Sequence, residues 1–282
     1  MNNGIDPAVL AGYEAGNERG RLREGIGLIE FARTREILAE VLPPSPAVIY
    51  DIGGGYGEYS WLLAAQGYRV HLFDLAAANI RMAGELAAEY PEVSLASREV
   101  ADARHIPRDA ASADAILLMG PMYHILERTE RLRALAECAR LLKPGGLLLT
   151  AAITPYATML WAATVFGERN RLLEEPAFRE MIAREIRTGE HRPPVNTAYR
   201  GIGPSHFHLP EELTGELEQA GFRDHDVRGV VGCAWLVPHL DEAWQNPVTR
   251  EALLSLVRLT EREKNLLGLS THLLAVSRVG TH

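Results

Sequence analysis

Residues 48–60 read VIYDIGGGYGEYS. A short apolar run leads into four glycines within five positions, Gly53, Gly54, Gly55 and Gly57. The residues that follow, EYSWLLAAQ (58–66), have helical spacing and close at Gly67, a suitable C′ residue. A strand, a bare turn and a helix in this order form the opening unit of an open α/β sheet. Such sheets receive ligands at the carboxyl ends of their strands, where this turn lies. Glycine suits a turn that a ligand must approach closely, because it carries no Cβ.

The alternation continues downstream. VHLFD (70–74) reads as a second strand and AAANIRMAGELAAEY (76–90) as a second helix. A weaker strand, 97–100, runs into Ala101-Asp102, and DAILLM (114–119) is a strong fourth. ERTERLRALAECARLL (127–142) is a long amphipathic helix closed by KPGG, and LLLTAAI (147–153) is a fifth strand. The strands are continuous apolar runs, as expected when helices cover both faces of a parallel sheet. Upstream, IGLIEFARTREILAEVL (26–42) is helical and PPSP (43–46) stops it; residues 1–25 are a polar, partly helical arm.

After Ile153 the rhythm breaks. Residues 154–205 hold helical stretches, YATMLWAATVF and PAFREMIAREIR, then a loop, with no convincing strand. They read as a helical cap inserted after strand five, over the ligand edge. Pro210 opens another helix at N1, with Gly221 at its end. VRGVVGCAWLV (227–237) reads as a strand, 241–265 as a helix and THLLAVSR (271–278) as the terminal strand. The organisation is thus an arm (1–25), a sheet domain (26–153 and 206–282) and a cap (154–205).

The chain has 282 residues, 47% hydrophobic, with a formal net charge of −8. Its pI of about 5.7 argues against a nucleic-acid partner held by phosphate contacts. Two cysteines, Cys138 and Cys233, exclude a disulfide framework and a cysteine-rich zinc site. Cys138 lies on an apolar helix face and reads as inert core. No apolar run reaches the ~20 residues of a membrane span. The expected setting is a reducing cytoplasm, without a membrane partner.

Two cofactor classes compete for the glycine turn. The dinucleotide fingerprint G-x-G-x-x-G/A fails in either frame, placing Glu58 or Ser60 where its last small residue belongs. A carboxylate at 58, on the first helical turn, also opposes a pyrophosphate. S-adenosylmethionine has no phosphate and needs only close backbone approach. Acids at strand ends agree: Asp74 is placed to accept ribose hydroxyls, and Asp102 to accept from an adenine amino group. Helix capping by Asp74 and a turn role for Asp102 are the structural alternatives. Asp114 reads as structural. Asp51 is placed to hold the loop through backbone N–H groups, or to touch the ligand.

DIGGGYG (51–57), HLFDL (71–75), EVADAR (99–104), DAILLMGPMYHI (114–125) and LLKPGGLLL (141–149) together resemble the class I S-adenosylmethionine-dependent methyltransferases. GPMYHI, HFHLPEEL (206–213) and STHLLAVSR (270–278) are more narrowly similar to a bacterial small-molecule branch of the ubiquinone-biosynthesis type. The resemblance implies a doubly wound, Rossmann-like sheet of seven strands, mostly parallel with an antiparallel last strand. It implies that Gly53, Gly55 and Gly57 line the methionine moiety, Asp74 the ribose, and Asp102 with Ala103 the adenine. Gly54, Leu75 and Met119 complete the expected cofactor set. The function it implies is methyl transfer to a small-molecule acceptor. An NAD-dependent oxidoreductase and a non-catalytic cofactor-binding subunit are the rival readings.

Methyl transfer is an in-line displacement that rests largely on positioning. Where the acceptor carries a proton, a base must take it. Tyr123 and His124, after the fourth strand, are candidate catalytic groups, His124 as a base titrating near neutrality. His208 is a third candidate. His206, His272 and Trp235 are candidate acceptor contacts, although Trp235 equally suits a core. His206 and His208 share one face of an extended segment, but two ligands make no metal site without a third, so none is expected. The arm carries Tyr13, Arg19 and Arg21, and Arg21 is a candidate partner for the cofactor carboxylate.

Overall fold

The computed structural model describes residues 7–14, 20–164, 171–195, 199 and 201–280. Arg19 and parts of the cap lie outside the described residues. In chain order the elements are α1 (Pro7–Glu14), α2 (Ile26–Val41), β1 (Val48–Ile52), α3 (Glu58–Ala65), β2 (Arg69–Asp74), α4 (Ala77–Leu86), β3 (Ser97–Val100) and β4 (Ala113–Leu118). There follow α5 (Pro121–His124), α6 (Arg128–Leu141), β5 (Leu142–Ile153), α7 (Ala157–Thr164), α8 (Pro176–Thr188), β6 (Glu190–His191) and β7 (Ser205–His206). The chain closes with α9 (Pro210–Gln219), β8 (Phe222–Gly229), α10 (Leu240–Gln245), α11 (Pro247–Thr260) and β9 (His272–Val279).

Seven strands make one sheet in the order β3-β2-β1-β4-β5-β9-β8. Strands β1 to β5 pair in parallel, and β9 runs antiparallel to both β5 and β8. The apolar runs have the cause expected of them. In β4, Ile116 and Leu118 face a core built with Leu135, Cys138, Leu213 and Leu217, on the side of α6 and α9. Ala115 and Leu117 face the opposite core, with Ile37, Leu38 and Leu63 of α2 and α3. All four of these β4 residues are fully buried. Asp114 is structural: it takes the Val48 amide at 2.8 Å and Lys143 Nζ at 2.7 Å, fastening β4 to the starts of β1 and β5. Burial pushes the Cys138 thiol far up, leaving it inert.

Several expectations are corrected. The sixth strand lies at 222–229 rather than 227–237, and Ala234–Leu236 form a 3₁₀ turn. The strand was hidden because FRDHDVRG is polar, and it is polar because β8 is an edge of the sheet with partial exposure. The helix expected over 241–265 is two helices, broken at Asn246-Pro247, where the Asn246 side chain accepts from the Val248 and Thr249 amides. Within the cap, β6 and β7 form a short antiparallel ladder where no strand was expected.

Residues between β8 and β9 form an unforeseen second insertion. Val231, Trp235, Leu240, Trp244 and Val257 bury themselves against Ile29 of α2. A buried ion pair joins the same two parts: Arg33 donates to Glu261 at 2.6 and 2.8 Å, with both side chains nearly inaccessible. Glu261→Ala leaves that guanidinium buried without its main partner. We expect it to lower unfolding free energy in urea by about 3–5 kcal/mol, whereas exposed Glu251→Ala should leave it nearly unchanged.

Candidate active site

A cavity opens where the carboxyl ends of β1, β2, β3 and β4 meet, and α1 lies across it. The loop after β1 is pulled toward β2: the Gly53 amide donates to the Phe73 carbonyl at 2.7 Å. Gly53 has φ 70°, and a Cβ there would sit 2.5 Å from the Pro121 ring, so only glycine fits. Gly55 has φ 61°, and a Cβ there would meet no protein atom within 4 Å, because this residue faces the cavity. Gly54 also lines the cavity, whereas Gly57 stands behind it at the start of α3.

The strand-end acids are in the wall, each with work inside the protein. Asp74 accepts from Gly55 N at 2.8 Å, Ala76 N at 2.9 Å and Asn79 Nδ2 at 3.0 Å. It therefore ties the glycine loop to the entry of α4, while Ala76 occupies the N-cap position itself. Asp102 is gripped by Arg104 through the guanidinium and the backbone amide. Burial favours the protonated Asp102, but the bonds from Arg104 outweigh this and hold its carboxyl below the usual range. Leu75, Ala103 and Met119 line the cavity beside them.

Two further acids complete the wall. Glu58, on the first turn of α3, accepts from Arg23 at 2.9 Å and from the Tyr56 hydroxyl at 2.8 Å. Asp51 is buried and takes the Ser60 hydroxyl at 2.6 Å rather than holding the loop by its amides. Burial, with a smaller push from Asp74, raises the Asp51 carboxyl to about 7. Among the described residues, four carboxyl groups and one guanidinium, Arg21, line the cavity. Arg21 is itself bound to Glu30 through two contacts of 2.7 and 3.1 Å.

Apolar and aromatic side chains also line the cavity: Val9, Leu10 and Tyr13 of α1, Leu22, Tyr123 and Ile125. The Tyr123 hydroxyl donates to the Met119 carbonyl at 3.2 Å. Tyr13 Oη meets His124 Nε2. Glu14, next along α1, accepts from the Ala77 and Ala78 amides at the start of α4 at 2.8 and 3.2 Å.

Residues 49–146 match a family model described as a methyltransferase domain. A ubiquinone biosynthesis O-methyltransferase of Xanthomonas axonopodis pv. citri is 30% identical over 203 residues, 71% of this chain and 72% of that relative. The chain belongs to the class I S-adenosylmethionine-dependent methyltransferases. A ubiquinone/menaquinone biosynthesis C-methyltransferase of Acidiphilium cryptum is 26% identical, across 70% of this chain and 75% of the relative. Among solved structures, an S-adenosylmethionine-dependent methyltransferase of Methanosarcina mazei superposes with a TM-score of 0.56 at 20% identity, covering 87% of this chain and 98% of that one. A Haemonchus contortus N-methyltransferase in complex with S-adenosylhomocysteine gives a TM-score of 0.54 at 15% identity, covering 89% and 52%. These likenesses carry the fold. The enzyme uses S-adenosylmethionine. The cavity fits that donor: Gly55 presents bare backbone, and an acidic wall suits a sulfonium and an ammonium better than a pyrophosphate.

The catalytic candidates divide. Tyr123 and His124 line the methyltransferase cavity. His124 does not titrate near neutrality, however: burial first, then the charge of Arg21, depress it to about 3. It stands neutral at physiological pH, a weak base that serves as a hydrogen-bonding partner for Tyr13. The structure takes the remaining candidates off the cavity wall. His208 is fully buried behind it. His206 turns to Glu212, at 2.7 Å. His272 faces Glu30, at 3.7 Å. Trp235 is core, donating to the Leu269 carbonyl at 2.9 Å. Tyr13 was legible as part of the arm but not as a partner of His124. Glu58 was noticed as an obstacle to phosphate, not as a wall residue.

Asp51 and His124 have opposite linkage. Folded Asp51 keeps a proton that the unfolded chain releases above its ordinary 3.8, so stability falls as pH rises toward about 7. His124 resists protonation in the fold, so its contribution is lost as pH falls below its ordinary 6.5 toward about 3. Comparing the wild type with Asp51→Asn isolates the first. Between pH 4 and pH 8 the variant should gain on the order of 4 kcal/mol relative to wild type, read from urea unfolding at each pH.

Proposed function

We propose that residues 53–55, Asp74, Leu75, Asp102, Ala103 and Met119 hold the methyl donor, and that α1, Tyr123 and the cap (154–205) shape the acceptor's side. The observation that carries this reading is the cavity's lining: a bare glycine turn with the strand-end acids Asp74 and Asp102 beside it, and the apolar and aromatic side chains of α1 and Tyr123 in the same cavity. When bound, the donor supplies an electrophilic methyl on a sulfonium that leaves as a neutral thioether. Asp74 and Asp102, already fixed by their own hydrogen bonds, offer acceptors at preset places. Preset groups lose little freedom on binding.

The acceptor we propose is a small, largely apolar molecule. The names of the relatives, which refer to ubiquinone biosynthesis, point in the same direction. The acidic balance and the acidic wall argue against nucleic acid. Two free cysteines fit a reducing cytoplasm, the compartment we propose. With His124 neutral and poorly basic, the chain's contribution is to align the acceptor, hold Tyr13 in place and exclude water. Such a site suits an acceptor that arrives ionised or is already nucleophilic.

Calorimetry tests the donor assignment. S-adenosylhomocysteine should bind with measurable heat and NAD with none. Asp74→Ala frees the Gly55 amide as well as removing an acceptor, so affinity should fall at least about 100-fold, the loss of two or more charge-assisted hydrogen bonds. Unchanged affinity in Asp74→Ala would remove the assignment.

A further inference from the structure

The histidines that leave the cavity wall gather elsewhere. His206 ends β7, His208 follows two residues on, and Glu212 lies in the first turn of α9. Each of the three presents one donor atom, and the three atoms lie within 4.8 Å of one another. The two imidazole rings are 4.6 Å apart and nearly perpendicular. His208 poses the question. Its side chain is fully buried, yet neither ring nitrogen has a hydrogen-bond partner. Its Nε2 approaches Glu216 Oε2 only to 3.5 Å. Leaving a buried polar group without a partner costs about 1–3 kcal/mol, and such groups call for an explanation.

We propose that His206, His208 and Glu212 form a binding site for a divalent transition-metal ion of the zinc type. Two neutral imidazoles and one carboxylate are a donor set that zinc accepts, with a fourth position left for Glu216 or water. The surroundings permit the charge. Glu212 and Glu216 bring two negative charges, and the neighbouring cations are Arg131, 3.6 Å from Glu212 and 2.7 Å from Glu216, and Arg128, 3.6 Å from Glu216. With neutral imidazoles these charges balance, and Arg128, about half exposed, is free to turn to solvent when an ion binds. Arg131 also donates through Nη1 to the carbonyls of Ile125 and Leu126, at 3.3 and 2.7 Å.

The donors must draw together slightly. Ligands about 2.0–2.2 Å from a tetrahedral ion stand roughly 3.4 Å apart. Glu212 can make that movement, since its side chain is about one-third exposed, at 34%. The contact between His206 and Glu212, at 2.7 Å, opens as the ion takes the place of the hydrogen they share. The imidazole proton moves to the other ring nitrogen, so the ligand remains neutral.

The position gives the ion a structural role. The His208 amide donates to the Ile153 carbonyl at the end of β5. Phe207, between the two histidines, packs with Tyr123 and Ile153. A metal here would fasten the exit of the cap to α9, directly behind a wall of the cavity.

The full-length protein, stripped with chelator, is titrated with zinc chloride by calorimetry, and separately with cobalt(II). We expect one zinc per chain, a rise in Tm, and visible cobalt bands of tetrahedral nitrogen and oxygen ligation. His206→Ala and Glu212→Gln should each weaken zinc at least about tenfold, as loss of a ligand does. Both residues are partly exposed, and retained binding of S-adenosylhomocysteine shows that the variants fold. Absence of one-to-one binding, or wild-type affinity in both variants, overturns the site and leaves a hydrogen-bonded cluster only.

Discussion

One hydrogen bond organises the active-site end of this sheet: the Gly55 amide to Asp74, at 2.8 Å. It joins the turn after β1 to the end of β2, strands already in register through Ile52 and Phe73. The Gly53 amide on the Phe73 carbonyl reinforces the join. With the turn drawn to one side, its bare backbone faces the cavity. The same carboxylate takes Ala76 and Asn79, so the start of α4 is placed by the group that places the loop. A charged acceptor with several donors is a stiff junction, because each bond is charge-assisted.

The electrostatics follow from that arrangement. A chain with an excess of acids places four of them around one cavity. Arg23 and Arg104 sit behind two of these acids, on Glu58 and Asp102, and keep them tolerable without filling the cavity. Asp51 has no such partner and instead holds its proton toward neutrality. His124, in the same cavity, loses its proton for the matching reason, burial without a compensating charge.

Much of this could be read from residues alone. The glycine turn, the first five strands and the strand-end acids follow from local pattern, because each side chain is dictated by its own neighbours in sequence. What was hidden depends on distant partners. β8 escaped because a sheet edge tolerates RDHD, which has no strand-like apolar run. The Arg33–Glu261 pair spans the chain, and no periodicity marks it. The titration of His124 needs its burial and its nearness to Arg21, both products of packing. Packing likewise keeps His206, His208, His272 and Trp235 off the cavity wall, His208 and Trp235 by burial and His206 and His272 by facing Glu212 and Glu30, although their residue types suit a site.

The placement of α1 ties the arm across the opening. Two adjacent side chains, Tyr13 and Glu14, anchor this helix at opposite sides of the opening, one on His124 and one on the amides of α4. Neither anchor is deep: each is a polar contact of a short helix that adds few residues to the main cores. Val9, Leu10 and Tyr13 of the same helix line the cavity. The opening is thus bounded by the arm as well as by the sheet, and a substitution in α1 reaches the cavity without touching a strand.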